Sequence, residues 1–316
     1  MSLSTCSCSG PGGNTGLADC LVTAKASKRF IFVEYFKEDG TVNGIDLSDF
    51  TDGVFTQTDL DAKIQNLNPK LRWYPTPLLE NVANTRADDI TEEAESTTSV
   101  FIREGSRTVE AQIWEGSEVL LKNLEKFECK TMGFFTIDAA GNLRGDNSTD
   151  GYLNPIRIQN QSLRFKYMEP TETTVAKVMI NFTVSELMND ADIRMIESSK
   201  ITANFIDISG LLTVVAGTPT DIDTDGFVVQ LNTQFGGVTN KIPATGMDED
   251  DVLFYNVTDE SSISATMTES STTDGLYTIA YGSSVTAGDV IRVSNPTSGQ
   301  LSKGYDLTSF TVTTPT

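Results

Sequence analysis

Three aspartates at alternate positions, Asp221, Asp223 and Asp225, stand just before a glycine and have a spacing that could bind a metal ion. This pattern opens the loop of an EF-hand calcium site. The position that supplies a bidentate glutamate in such a loop holds Asn232, so the sequence does not predict an EF-hand. Two interpretations stay open. Either the aspartates form an irregular calcium site, with the acidic run 248–251 as further ligands, or they form a charged turn before a strand.

The four cysteines are the other candidate metal ligands, and three of them, Cys6, Cys8 and Cys20, lie in a Gly/Ser-rich segment. Their spacing begins as C-x-C, whereas zinc sites favour C-x₂-C pairs. The first alternative is a four-thiolate site completed by Cys129. The second is that the three are reduced cysteines in a mobile arm, and that Cys129 packs in the core as a small hydrophobic residue.

Motifs for catalysis are missing from the sequence. It contains no histidine, the side chain most often used for acid–base work near neutral pH. Thr-Asp-Gly occurs repeatedly, but an aspartic protease needs Asp-Thr/Ser-Gly, so these triplets predict turns. A carboxylate-based hydrolase needs two converging carboxyl groups, which no spacing here demonstrates. We therefore predict a protein that is not an enzyme and needs no cofactor. The Thr-Asp-Gly triplets end at Gly53, Gly151, Gly226 and Gly275.

Composition predicts a soluble globular protein with room for two domains, since the 316 residues are 38% hydrophobic and 21% charged. No apolar stretch approaches the roughly 20 residues that cross a bilayer, and the N-terminus does not resemble a signal peptide. The net charge of −21 disfavours specific nucleic-acid binding, because such binding needs basic surfaces. Two roles of this negative charge stay open. It keeps the protein soluble, or it forms an acidic wall along which DNA slides without binding.

The elements that would position these residues are mostly strands. The sequence predicts a flexible arm at residues 1–27. Over residues 28–210 it predicts an antiparallel barrel or sandwich with one helix packed outside it. The clearest helix is 117–128, capped by Ser117, and a shorter one is capped by Thr58. We predict strands at 28–37 and 132–137, a strand pair formed by 99–103 and 107–114, and a second pair formed by 163–167 and 175–184.

The acidic segment 84–98 has no apolar period, and we predict a long exposed loop there. Such a loop is either a solvated excursion or an arm that contacts another subunit. From residue 211 the composition changes, because this part holds 13 of the 44 acidic residues and only 3 of the 23 basic ones. Short strands with turn clusters at regular spacing then predict a small immunoglobulin-like sandwich over 211–316.

A resemblance to a known family is carried by four stretches of the first domain: Val-Phe-Ile-Arg-Glu-Gly-Ser-Arg-Thr at 100–108, the helix 117–128, Gly-Phe-Phe-Thr-Ile-Asp-Ala-Ala-Gly-Asn-Leu at 133–143 and Leu-Asn-Pro-Ile at 153–156. Their order resembles that in the tail-tube proteins of tailed bacteriophages, especially those infecting Bacteroidetes. The resemblance implies hexameric rings whose subunits share a continuous inner barrel and which stack into a tube that conducts DNA.

The same resemblance implies further roles. The helix 117–128 would lie outside the inner barrel, and the segment 84–98 and the N-terminal arm would contact other subunits or rings. Residues 211–316 would be an added outward decoration, which minimal tube proteins lack and beneath which a contractile sheath would have to fit. Partners would be further copies of the chain and the tail sheath, baseplate or terminator proteins. DNA would pass without specific binding. The protein would reside in the virion after assembly in the host cytoplasm.

Two other functions compete with this interpretation. A head decoration or fibre protein would also carry an immunoglobulin-like domain and would form a trimer or stay monomeric. An adhesin would use the C-terminal domain to recognise surface glycans, and an exposed aromatic cluster would favour it. The aromatic residues Phe254, Tyr255, Tyr277 and Tyr281 fit core positions equally well.

Overall fold

The structure is a computed structural model that describes residues 24–93, 99–149, 151–282, 285–301 and 303–316. It is mainly β, as the sequence predicts, and contains several antiparallel sheets. The chain divides into two compact units. The first comprises Met1–Lys63 and Lys70–Ser209, and the second comprises Ile64–Pro69 and Gly210–Thr316. In the described part of the chain, no helix has the length and apolar character needed to span a membrane.

The first unit is built on two sheets. The first sheet has the strand order β14-β9-β8-β1-β3, with β11 also paired to β8, and the second sheet has the order β12-β13-β7-β4. Two short pairs, β2 with β10 and β5 with β6, complete it. The strands are β1 (Ser27–Glu34), β2 (Ile45–Asp46), β3 (Tyr74–Pro75), β4 (Glu80–Arg86), β5 (Ile90–Glu93), β6 (Ser99–Arg103), β7 (Arg107–Trp114), β8 (Met132–Asp138), β9 (Leu143–Asp146), β10 (Tyr152–Leu153), β11 (Ile156–Arg157), β12 (Arg164–Met168), β13 (Lys177–Thr183) and β14 (Ile193–Ile196), and the helices are α1 (Gln57–Ile64) and α2 (Glu118–Glu125).

The first sheet is buried on both faces. On one face, Phe30 and Phe32 of β1 make edge contacts with Phe182 of the second sheet, at centroid distances of 5.8 and 6.2 Å. On the other face, Phe135 lies 5.2 Å from Trp73. A continuous apolar run is what a strand covered on both sides requires. The core of the unit therefore has two layers, one on each side of this sheet.

Both helices begin at caps that the local sequence provides. The predicted helix 117–128 is confirmed as α2, where the Ser117 hydroxyl accepts a hydrogen bond from the Leu120 amide at 3.2 Å. The cap predicted at Thr58 is wrong, because α1 is capped two residues earlier by Thr56. Thr56 and Asp59 exchange side-chain-to-backbone hydrogen bonds at 2.8 and 3.3 Å. This reciprocal capping box requires an acid three residues after the cap, which Asp59 supplies.

Two predictions about the strands of the first unit are wrong. The predicted loop 84–98 instead contributes to β4 and β5, and its residues 94–98 lie outside the described part. The strands at 99–103 and 107–114 exist but do not pair with each other, because β6 pairs with β5 while β7 pairs with β4 and β13. The segment 104–106 continues the strand direction instead of reversing it. The predicted pairing of β12 with β13 is confirmed.

Cys129 is exposed, so its predicted place in the core is wrong. It follows α2 in a turn closed by the hydrogen bond from the Lys130 amide to the Phe127 carbonyl, at 3.0 Å. The core position is taken by Phe127, which is 8% exposed. Cys6, Cys8 and Cys20, and most of the predicted arm 1–27, lie outside the described residues, and Ser27 already belongs to β1.

The second unit is a two-sheet sandwich with the immunoglobulin strand order. One sheet runs β20-β21-β16-β15-β23, with β17 also paired to β16, and the other runs β19-β18-β22-β24. Read as A to G, these are the A-B-E-D and C′-C-F-G sheets of that fold, which confirms the predicted sandwich. The strands are β15 (Leu212–Ala216), β16 (Gly226–Gly236), β17 (Lys241–Pro243), β18 (Leu253–Asn256), β19 (Ser261–Ile263), β20 (Ala265–Glu269), β21 (Leu276–Tyr281), β22 (Val290–Ser294), β23 (Tyr305–Leu307) and β24 (Phe310–Thr313).

Candidate assembly surface

The β4–β7 pair at the edge of the second sheet is continued beyond the sheet by β5 and β6. These two strands pair antiparallel, from Ile90 opposite Arg103 to Glu93 opposite Ser99. Among the described strands, each of them pairs only with the other. We call β5 and β6 together the hairpin arm.

The hairpin arm exposes consecutive apolar side chains. Val100, Phe101 and Ile102 are 54%, 56% and 54% exposed. Successive side chains of a strand point to opposite faces, so the arm presents apolar groups on both sides. Single exposed apolar residues are normal on a protein surface, but a contiguous group marks an interaction site.

A β-bulge lies at the end of the apolar group that is nearer to the second sheet. Ile90 is opposite Arg103, whereas the next residue, Thr91, is opposite Phe101. Ile102 is therefore the extra residue of β6. A bulge bends the strand, increases its twist and redirects side chains, and bulges are common where a strand ends its normal pairing.

The base of the arm depends on one glycine. A Cβ atom on Gly105 would lie 1.9 Å from the carbonyl oxygen of Ala87, a distance that no side chain permits. The Gly105 amide donates to Asp89 Oδ1 at 3.1 Å, and the Ala87 amide donates to the Ser106 carbonyl at 2.9 Å. The chain can thus cross closely at the base because residue 105 has no side chain.

Ion pairs hold the base of the arm against the loop after β13. Asp190 in that loop pairs with Arg107, at 2.8 Å, and with Arg86, which also pairs with Glu104. The hydrogen bond to Glu104 is the main cause that raises the pKa of Arg86. Arg103 of the arm pairs with Glu186 of the same loop. Because most of these groups are exposed, each pair stabilises the arm only weakly and is screened by salt.

The second sheet has a mainly polar face opposite the core, with the exposed side chains of Trp114 and Met168 at one end. Val109, Ala111 and Ile113 of β7 point into the core, so Glu110 and Gln112 point outward. Strand register extends this face across the sheet, with a row of threonines near one end. Three basic and two acidic side chains occupy it, so its charges nearly balance. The charged members are Arg164, Lys166, Lys177, Glu80 and Glu110, and the threonines are Thr85, Thr108 and Thr183.

Among the described strands, the two edge strands of the second sheet, β12 and β4, have one partner each, and the Phe165 amide of β12 already donates to Glu128 Oε1 at 2.9 Å. An edge strand presents backbone N–H and C=O groups that can pair with another chain. The hairpin arm extends from the β4 edge. The first unit therefore places an open edge, a polar face and an apolar arm next to one another.

The structure does not assemble the predicted metal ligands. Asp223 Oδ1 accepts hydrogen bonds from the amides of Asp225 and Gly226, both at 2.8 Å, which closes a turn before β16. The run 248–251 begins a short 3-10 helix, and its carboxylates cap that helix's own backbone. Within the described residues, no group of three or more acidic or cysteine side chains could hold a metal ion.

The four aromatic residues that an adhesin would use, Phe254, Tyr255, Tyr277 and Tyr281, do not form an exposed cluster. Phe254 and Tyr277 are buried in the core, at 3% and 0% exposure. Burial raises the pKa of Tyr277 to about 12, and its hydroxyl donates to the Ala244 carbonyl at 2.9 Å. Tyr281 packs against the same core, and Tyr255 lies beneath Arg292, whose guanidinium carbon is 5.0 Å from the ring centroid.

Sequence reasoning missed the hairpin arm. The apolar run 100–102 was visible, but it was assigned to a strand of the barrel, and its polar, acidic partner strand was assigned to a loop. Three apolar residues in a row beside an acidic segment were the only local indication of an exposed ribbon. No protein-family model, curated protein or solved structure matches the chain, so the family resemblance stays a prediction.

Proposed function

We propose that the protein is a non-enzymatic structural subunit that assembles with copies of itself, as a ring-forming subunit of a bacteriophage tail tube. The observation that carries this proposal is the hairpin arm, whose apolar residues 100–102 are more than half exposed. A neighbouring subunit that receives the arm would remove this surface from water. In a ring, every subunit would donate one arm and receive another.

The size of the effect supports assembly. Full burial of a large apolar side chain contributes about 1.5–3 kcal/mol, so burying the remaining exposed half of three such side chains contributes about 2–4 kcal/mol per arm. This contribution alone gives weak association, because two bodies lose translational and rotational freedom when they bind. Many identical contacts in a closed ring, together with pairing of the sheet edges, would add to it.

The second sheet suits the wall of a tube. Edge-to-edge pairing of β4 with β12 of the next subunit would continue the sheet around a ring and would leave no edge unpaired. The polar face would then line the lumen. With three basic and two acidic side chains, this face would bind DNA weakly, although it is less acidic than the wall expected from the net charge.

A head decoration or fibre protein is the second candidate. The immunoglobulin-like second unit favours it, since such domains commonly serve as surface modules. A decoration protein needs no open sheet edge and would be a monomer or a trimer in solution. Oligomeric state therefore separates the two candidates.

The test compares the full chain with two double variants by light scattering and negative-stain electron microscopy over a range of concentrations. In the first variant, Phe101→Thr and Ile102→Thr make the arm polar and keep residues that favour strands. In the matched control, Val215→Thr and Val257→Thr change residues of the second unit that are 40% and 42% exposed.

We expect the unchanged chain and the control to form rings or tubes, and the arm variant to shift to monomers at the same concentration. Rings that persist in the arm variant would contradict the role of the arm. A chain that stays monomeric or trimeric under all conditions would contradict the tube itself and favour a decoration protein.

A further inference from the structure

A cleft of about 450 Å³ lies on the outer surface of the second unit. It is formed by the outward face of β16, by the hairpin that joins β16 to β17, and by the turn before β21. This volume is in the range of small-molecule binding sites, which run from about 300 to 1,000 Å³. Its polar lining residues include Gln230, Asn232, Thr239, Lys241, Thr273 and Asp274.

Asn232 is the residue in the cleft that points to a ligand. It alternates with Leu231, which packs in the core, and so belongs to the outward face of β16. It is nevertheless only 8% exposed, and within the described part of the chain no hydrogen bond engages its side-chain amide. Its amide atoms are not wholly enclosed, so they are open to the cleft, where a ligand group can replace water as their hydrogen-bond partner.

The wall beside Asn232 is built by close backbone contacts. Gly275 has a φ of +71°, and a Cβ there would lie 2.7 Å from the carbonyl oxygen of Leu231 and from Pro243. The turn can therefore press against β16 only with glycine at this position. The Gln230 amide nitrogen donates to the Asp274 carbonyl at 2.9 Å, which fixes the amide and leaves its oxygen as an acceptor.

We propose that this cleft binds a neutral saccharide. The charges of its lining cancel, because Lys241 and Asp274 are one base and one acid, so the cleft selects neither anions nor cations. Amide and hydroxyl groups both donate and accept hydrogen bonds, as the hydroxyl groups of a sugar do. Among the described residues that line the cleft there is no aromatic ring on which a sugar could stack. Binding is therefore weak, with a Kd on the order of 1 mM.

The test uses the full chain and saturation-transfer difference NMR, which reports weak binding to monomers and to assemblies alike. The probes are glucose, galactose, mannose and N-acetylglucosamine, each added alone. Asn232→Leu removes the amide and keeps a side chain of similar size. The matched control is Thr278→Val on β21, an exposed residue outside the cleft.

We expect at least one sugar to give a saturation-transfer signal that falls at least fivefold in Asn232→Leu and stays unchanged in Thr278→Val. Because the amide has no partner, the melting temperature of Asn232→Leu is expected to stay the same or rise. If that variant folds poorly, Thr273→Val serves as the second cleft variant. The proposal is overturned if no sugar gives a signal, or if the signal persists in the folded cleft variants.

The saccharide cleft and the tube assembly are tested separately. Asn232→Leu is expected to leave ring formation unchanged, and the arm variant Phe101→Thr/Ile102→Thr is expected to leave the saturation-transfer signal unchanged. Loss of both properties in one variant would indicate a fold defect, which the melting temperature detects.

Discussion

Two strands of the first unit carry similar apolar runs and have opposite environments. In β1, Phe-Ile-Phe-Val at 30–33 is at most 1% exposed, whereas in β6, Val-Phe-Ile at 100–102 is at least 54% exposed. Both sequences predict a strand whose two faces are buried. The cover of β1 comes from its own chain, whereas the described residues leave more than half of each of these β6 side chains exposed. Our proposal of self-assembly explains this difference by a second copy of the chain that would bury β6.

The exposed apolar residues of β6 carry a risk of aggregation. A flat, apolar ribbon that is free on both faces promotes aggregation, and proteins usually protect such strands with charges, bulges or short length. The hairpin arm has a bulge at Ile102 and acidic residues at 92 and 93 in its partner strand. These features limit uncontrolled pairing and leave the apolar side chains available for one defined partner.

The largest expected difference between the two runs is in folding stability. Phe32→Ala should lower the free energy of unfolding by about 3–5 kcal/mol, because it leaves a cavity between the two sheets. Phe101→Ala should change it by less than about 0.5 kcal/mol, as a surface substitution does. Urea unfolding followed by tryptophan fluorescence measures both, since Trp73 and Trp114 both lie in the first unit. Equal losses in the two variants would show that the arm is covered within the monomer.

Removing the buried Arg29 side chain of β1 should have the next largest effect on the free energy of unfolding. The Arg29 guanidinium donates to the carbonyls of Thr76 and Ile208, both at 2.8 Å, and to that of Ile206. Arg29→Met should cost about 2–4 kcal/mol, because buried carbonyl groups lose their charged donor. The control Arg292→Met removes an arginine that covers an aromatic ring in the second unit and should cost less than about 1 kcal/mol. The same urea titration, with calorimetry for the second unit, compares them.

A substitution at the base of the hairpin arm tests whether the direction of the arm matters for assembly, because it moves the arm and keeps its apolar residues. Gly105→Ala places a methyl group against the Ala87 carbonyl and should cost about 1–3 kcal/mol through strain. It should also reduce ring formation. Gly237→Ala, where the nearest atom is 3.9 Å away, is the control and should leave both properties unchanged. Normal rings in Gly105→Ala would mean that the arm's direction is irrelevant to assembly.

The smallest effect concerns the ion pairs of the arm. Arg103→Gln removes the pair with Glu186 and should change stability by less than about 1 kcal/mol, because both side chains are more than half exposed. Added salt weakens this pair and also screens the repulsion between chains that each carry a net charge of −21, so from about 0.05 to 0.5 M the variant should gain more assembly than the unchanged chain. Light scattering at a series of salt concentrations measures this. An identical salt dependence in both proteins would exclude the pair from the positioning of the arm.

Several elements were predictable because their causes are local. The Ser117 cap and the apolar stripe ending at Phe127 specify α2 within a dozen residues. Turn glycines and short alternating runs likewise specify the sandwich of the second unit. The cap of α1 was placed two residues late, because Thr56 and Thr58 each have an aspartate three residues onward, Asp59 and Asp61, and the local pattern does not choose between them.

The errors concern which segments of the chain meet in the folded protein. The pairing of β5 with β6, the exposure of Cys129 and the cleft around Asn232 all depend on which segments meet. The acidic strand β5 has no apolar period, because neither of its faces meets a core in the described structure. Period-based prediction therefore had no pattern to find there. The segment 64–69 likewise groups with the second unit through its pairing with Gln300, which lies far along the sequence.

The sequence by itself determined the strand-rich class, the change in composition near residue 210, the principal helix and the lack of histidine chemistry. These follow from residue type, short-range periodicity and caps, which act over a few residues. Tertiary structure alone decided that one apolar run is buried on both faces while another is left open, and that Asn232 faces a cleft without a partner. Burial is a property of whatever packs on a side chain, and in a protein with these long-range strand pairings that neighbour is rarely close in sequence.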